Sequence, residues 1–540
     1  MSAATGLLRL PSKATGWIDD RMNPIVVKEL RQAVKSRFVV TVLLLMLALL
    51  MVILTAVLFS QDSRAGVDED AGANLFLVFQ SILLATCTLF VPLYVGVRLA
   101  AERNGAASDL IYVTTIRPSS IVWGKLLAGT VITALTFSAC APFMVITYLL
   151  RGIDLPTILF VMGLDALIVL AATQLAIFVG AMPIGWVVKT LLGLGLIGFS
   201  IMTFVGMVVF VEDELLRIGI GSAMDDSDFW VAMSILVGTW LAAGAMVFFL
   251  SVAMIAPATA NRALWPRVYF TAVWAASFAG LLWLTFYFET LEPILIWLVL
   301  MSILLMCAAV ISASERQTLG PRLRRSIPRK PLLRPPAFLF YSGAAGGLVW
   351  VQALVVLTLV ATYFSRSHFL SENGAGVTSW GADYYDPFPE QWLGRYAASA
   401  MWMIGYLLLS AVICRRLPKV KNGTMLTGVV GLILIAVACV TPIVIAFGLD
   451  PDQWDRDAEF WLMLNPFGPV LSADRDWLGS YGETAFALSI VFYGLMLIVN
   501  LPWYWCQVRG FAPPSAKALQ TAPSVSPSSE ALQPQEAVDG

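Results

Sequence analysis

Apolar runs about as long as a bilayer is thick recur along this chain, separated by short polar segments. Twelve can be marked: 38–60, 75–97, 121–150, 156–181, 190–211, 230–256, 268–288, 293–312, 338–364, 396–414, 424–448 and 484–506. As helices, runs of this kind cross a hydrocarbon layer about 30 Å thick. The pattern predicts an all-α, polytopic membrane protein with about 12 transmembrane helices. The third run is long enough to tilt or to carry a broken end. The seventh and eighth meet at Glu289 to Pro293, which predicts a very tight outer turn.

The polar segments are sorted by charge. With the N-terminus inside and the runs alternating, only seven of the 34 Lys and Arg fall outside: Arg64, Arg151, Arg217, Arg366, Arg395, Arg456 and Arg475. No lysine is left on that side, and most of the 35 acids are. This is the positive-inside pattern, and it places both termini in the cytosol. Composition agrees, since 59% of residues are hydrophobic and only 13% charged, against about 25% charged in soluble domains. The charged lead of residues 1–37 is too long for a typical cleavable signal, so the first run reads as a retained anchor.

The chain then divides into a cytosolic segment (1–37), a six-span half (38–256), a second six-span half (257–506) and a tail (507–540). The tail, rich in Pro, Ser, Ala and Gln, is expected to be disordered. Two outer loops of the second half, about 365–395 and 449–483, mix Trp and Tyr with acids. That mixture suits interfacial anchoring or, alternatively, a substrate or partner surface. The inner loops after runs two and eight both open with Glu-Arg, at Glu102-Arg103 and Glu315-Arg316, a faint sign of tandem halves.

Just before the first run lies "NPIVVKELRQAVKSRF", Asn23 to Phe38. Asn23 can cap a helix, and Pro24 suits its first position. Val26, Val27, Leu30, Val34 and Phe38 fall close to one stripe, with Lys28, Glu29, Arg31, Gln32, Lys35 and Ser36 opposite. The expectation is an amphipathic helix lying in the membrane interface. Its charges alone would serve to hold the N-terminus inside.

Within the runs the one clear ionisable residue is Asp165. Burying its charge at a span centre costs about 2.5–3.5 kcal/mol. It is therefore protonated, paired or wetted, either as a proton or substrate contact or through a hydrogen bond to Thr133, Thr136 or Ser138. Gln80, Gln174 and Gln352 read as polar contacts between helices, and Gly343 with Gly347 as a small-residue packing face. The six cysteines all lie in or beside apolar runs, without paired spacing, which suits packing and predicts no metal site or disulfide framework. The sole histidine, His368, is in an outer loop, and no second intramembrane acid is evident. Zinc-hydrolase, Ser–His and aspartyl chemistries thus lack their parts, and the chain reads as no enzyme, with no cofactor. It also lacks Gly-x4-Gly-Lys-Ser/Thr, so no P-loop is present.

The opening segment, together with "AAERNGAASDLIYVTTIRPSSIVWGKLLAG" after run two, resembles permease subunits of ABC-2 type transporters. The residues that carry the likeness are Asn23, Pro24, Lys28, Glu29 and Arg31 in the first stretch. In the second they are Glu102, Arg103, Gly105, Leu110, Thr114, Thr115, Pro118, Gly124 and Lys125. Ala106, where threonine is common, and Arg117, before the proline, depart from the pattern. The likeness covers about the first 150 residues and extends by hydropathy to about 256. It implies an exporter's membrane domain in a bacterial plasma (inner) membrane, energised by a separate ABC ATPase subunit docked on the loop 102–118. In that loop Ser108 to Thr115 would form a short coupling helix, with Glu102, Arg103 and Asp109 as charged sockets. Membrane lipid is a further expected partner and a second copy of the chain a candidate one; nucleic acid is not expected. Two other classes stay open: a proton-coupled secondary transporter using Asp165, and a non-transporting membrane scaffold.

Overall fold

A computed structural model describes residues 24–62, 71–104, 117–150, 153–216, 227–257, 259–317, 319–373, 390–416, 423–449, 465–468 and 482–513. Every regular element among them is helical, and 12 helices are long and apolar enough to cross a membrane. The chain divides after Pro257 into two compact units.

The first unit opens with α1 (Pro24–Val34) and α2 (Arg37–Asp62). It continues with α3 (Ala71–Asn104), α4 (Pro118–Leu149), α5 (Leu155–Ala181), α6 (Trp186–Phe210) and α7 (Ser227–Ile255). A single π-helical stretch, Val211–Leu216, extends α6. The second unit holds α8 (Leu264–Tyr287), α9 (Glu292–Ala313), α10 (Pro321–Arg325) and α11 (Arg334–Phe340). It is completed by α12 (Ala344–Asn373), α13 (Glu390–Arg416), α14 (Gly423–Leu449) and α15 (Gly482–Gly510). Helices α10 and α11 are too short to span.

With 34 residues, α3 is about 50 Å long at 1.5 Å per residue, well beyond the hydrocarbon thickness. Its last turn, carrying Glu102 and Arg103, therefore projects from the membrane on the side rich in Lys and Arg. The core of the first unit sits around α3, where Phe76, Phe79, Leu83, Leu84 and Val91 are fully enclosed. Outward faces are apolar too, with Leu45, Val52 and Phe59 of α2 and Trp186 and Met202 of α6 among the most exposed side chains. Apolar surface on this scale is what lipid contact requires.

Small residues let α3 and α5 approach closely, the usual way helices pack in lipid. A Cβ at Gly180 would stand 2.8 Å from the Gly96 carbonyl oxygen, and one at Gly96 would stand 3.1 Å from that of Ala176. Gly180→Leu is accordingly expected to wedge the two helices apart and cost about 1–3 kcal/mol. A lower melting temperature of the detergent-solubilised protein would register it, while unchanged melting would contradict the close crossing.

Two details differ from the sequence reading. The segment Asn23 to Phe38 is not one helix: α1 stops at Val34, and Phe38 belongs to α2, where it packs on Phe90 at 4.9 Å. The ninth span starts at Ala344 and not at 338, because "RPPAFLF" forms the separate α11, followed by a bend at Tyr341 to Gly343. Gly343 thus lies outside the span helix. Between α8 and α9, Glu289 takes φ 51°, in the left-handed region, and Thr290 N–H donates to Thr285 O at 3.2 Å. That kink closes the tight turn and separates the seventh span from the eighth.

Candidate functional site

Two clusters of charged side chains organise the basic ends of the helices. In the first unit, Lys125 lies two turns into α4 and is 2% exposed. Its Nζ is 2.9 Å from Glu29 Oε1 on α1 and 2.8 Å from Glu102 Oε2 on α3. Glu29 is buried and Glu102 is partly open to solvent. One ammonium thus joins three elements: the short opening helix, the projecting end of the second span, and the start of the third. Its three donors suit a site with two acceptor carboxylates. Pro118 begins α4, with Arg117 in extended backbone before it, so the loop re-enters the membrane through a rigid joint. Three neighbouring bonds reinforce the assembly. Arg103 Nη2 donates to Met254 O at the end of α7 at 2.9 Å, and Arg98 donates to Gln32 on α1 and to Tyr94 Oη.

The packing of α1 revises the expected stripe. By sequence Glu29 falls on the polar side, yet it is buried with Ala33, one turn on, while Lys28, Arg31, Gln32 and Lys35 are exposed. The helix turns this edge toward α4 because Lys125 needs a carboxylate and Ala33 is small enough for close approach. Of the residues singled out in sequence, Glu29, Glu102 and Lys125 come together here. Arg103 and Pro118 flank them, Gly124 is buried beside Lys125, and Pro24 opens α1. Lys28 and Arg31 are exposed and take no part in the cluster's ion pairs. Asn23, Gly105, Asp109 and the proposed helix Ser108 to Thr115 lie outside the described residues.

Asp165 is fully buried in α5. Its partner is Gln80 of α3, whose Nε2 lies 3.1 Å and 3.2 Å from the two carboxyl oxygens. The hydroxyls suggested by the sequence are turned elsewhere: Thr133, Thr136 and Ser138 donate to carbonyls of their own helix, at Gly129, Ile132 and Leu135. They satisfy themselves locally, as Ser and Thr in helices commonly do. The Asp165–Gln80 contact joins the same two helices that cross at Gly96 and Gly180. If it serves packing, Asp165→Asn should leave activity and its pH dependence intact. Asp165→Ala and Gln80→Ala should each lower stability by about 0.5–2 kcal/mol, with no further loss in the double variant. Loss of pH-dependent flux in the asparagine variant would instead mark a proton carrier.

An apolar crevice of about 270 Å³ opens among α5, α6 and α7, lined by Leu164, Ile168, Met207, Phe210, Leu236 and Trp240.

In the second unit, Arg267, which no motif in the sequence singles out, is a hub. It is 3% exposed, at the start of α8. Its guanidinium lies 2.6 Å from Glu315 Oε1 and donates to the carbonyls of Leu339 at 2.7 Å and Tyr341 at 2.8 Å. The other Glu315 oxygen accepts the Gly343 N–H at 2.7 Å. A Cβ at Gly347 would meet Arg267 Nη2 at 2.3 Å, so glycine there makes room for the cation. The signal available in sequence was an arginine flush against an apolar run, which needs an acid nearby. Both Glu-Arg dipeptides thus place a glutamate that grips a buried cation at the base of a neighbouring span.

Comparison with protein-family models, with characterised proteins and with solved structures yields no match for this chain.

Proposed function

We propose that the chain is the membrane-spanning permease subunit of an ABC-type exporter, driven by a separate ATPase chain that docks on the loop 102–118. The observation that carries this reading is the Glu29–Lys125–Glu102 cluster. A loop that passes on a partner's motion must be stiffly joined to the spans at both ends. Glu102 lies at its entry and Lys125 just past its exit, so one ion cluster spans the loop and adds α1 as a brace. Movement imposed on the loop would reach α1, α3 and α4 together. A separate ATPase chain fits a sequence that carries no Gly-x4-Gly-Lys-Ser/Thr motif. The Gln80 bond to Asp165 favours a packing role there over proton transport.

The test is which side of the membrane the loop faces. A cysteine replacing Ser108 should resist a membrane-impermeant thiol reagent in intact cells and react after permeabilisation. Labelling of that cysteine from outside intact cells would overturn the reading.

A further inference from the structure

The chain between α9 and α12 holds a second feature. From Arg316 to Tyr341 it carries Arg316, Arg322, Arg324, Arg325, Arg329, Lys330 and Arg334, and no acid. Among the described residues none of these seven is in an ion pair. The segment is folded all the same. Leu323 and Ile327 are buried, Tyr341 Oη donates to Ser326 O at 2.7 Å, and Arg334 Nη2 donates to Arg329 O at 3.1 Å. Phe338 and Tyr341 pack on Phe511, with ring centroids 5.4 Å and 5.5 Å apart. From this base the 3-10 turn Pro331–Leu333 presents two bare leucines, Leu332 at 86% and Leu333 at 50% exposure.

The turn stays at membrane level. Leu339 and Tyr341 are held by Arg267 in the first turn of α8, and α11 carries the chain only about 10 Å from there to Leu333. Exposed leucines ringed by cations, beside the ends of two spans, match the chemistry of one surface: acyl chains beneath negatively charged headgroups. The cytoplasmic leaflet is the anionic one, and the positive-inside pattern puts this segment there.

We propose that residues 322–334 bind anionic phospholipid, with Leu332 and Leu333 seated in the acyl boundary and Arg322, Arg324, Arg325, Arg329 and Lys330 contacting headgroup phosphates. The site is independent of any ATPase on the loop 102–118. Each cation near an anionic surface contributes roughly fivefold in affinity. Native mass spectrometry of the full-length protein, titrated with phosphatidylglycerol or phosphatidylcholine, reads it directly. Wild type should hold phosphatidylglycerol in preference. Glutamine at all five cationic positions should weaken that binding at least tenfold and leave phosphatidylcholine unchanged, whereas lysine at the four arginines should preserve it. Leu332→Ser with Leu333→Ser should weaken both lipids several-fold. All five side chains are exposed, so the variants should melt like wild type. Undiminished phosphatidylglycerol binding by the glutamine variant would overturn the proposal. So would displacement of the lipid by inorganic phosphate, or glutamine substitutions that release a bound soluble protein while lipid binding persists.

Discussion

Replacing Lys125 by alanine is expected to destabilise the first unit by about 3–5 kcal/mol, because the substitution strands a buried carboxylate. Glu29 would keep its burial and lose its only ion-pair partner among the described residues. Glu102, about one-third exposed, would suffer less, since water can take up part of its charge. The cost falls on the docking of α1, so proteolysis within residues 24–34 should accelerate along with the drop in melting temperature. Pairing Lys125→Met with Glu29→Leu should recover most of the stability, as apolar replacements for buried ion pairs commonly do. Rescue of melting without rescue of transport would separate bracing from mere folding. Wild-type melting of Lys125→Ala would contradict the cluster.

Arg267→Ala is the second large effect, again about 3–5 kcal/mol. The loss has three parts: the carboxylate of Glu315, the carbonyls of Leu339 and Tyr341, and the contact with the Trp350 ring at 5.8 Å. Lysine keeps the charge but lacks the planar fork that serves carboxylate and carbonyls at once. Arg267→Lys should therefore remain about 1–3 kcal/mol below wild type. Hydrogen exchange over residues 334–343 should rise in both variants, more in alanine. Protection equal to wild type would show that α11 is held by its packing alone.

Hydropathy made the spans legible, because it is a local property summed over many residues. Details set by a few atoms were not. Phe338 to Phe340 continue the apolar run and read as its start, yet they belong to α11, and the bend at Tyr341 to Gly343 cuts them off from the span. The Glu29–Lys125 pair is 96 residues apart in sequence, so no local spacing announces it. The burial of Glu29 on a helix that looked uniformly polar on one side follows from that distant lysine. Asp165 stood out as a charge where none belongs, yet its choice of Gln80 over nearby hydroxyls depended on which helix faces α5. Thr133 and Thr136 could satisfy themselves within one turn, and Gln80 could not.

The central claim is that another polypeptide supplies the energy through the loop gripped by Lys125. Its most direct measurement is quantitative mass spectrometry of the full-length protein purified gently from its native membrane. The account predicts a P-loop ATPase in near-stoichiometric amount, lost from the Glu102→Lys variant while that variant still folds and inserts. A wild-type preparation that is intact, active in transport and free of any ATPase would contradict it.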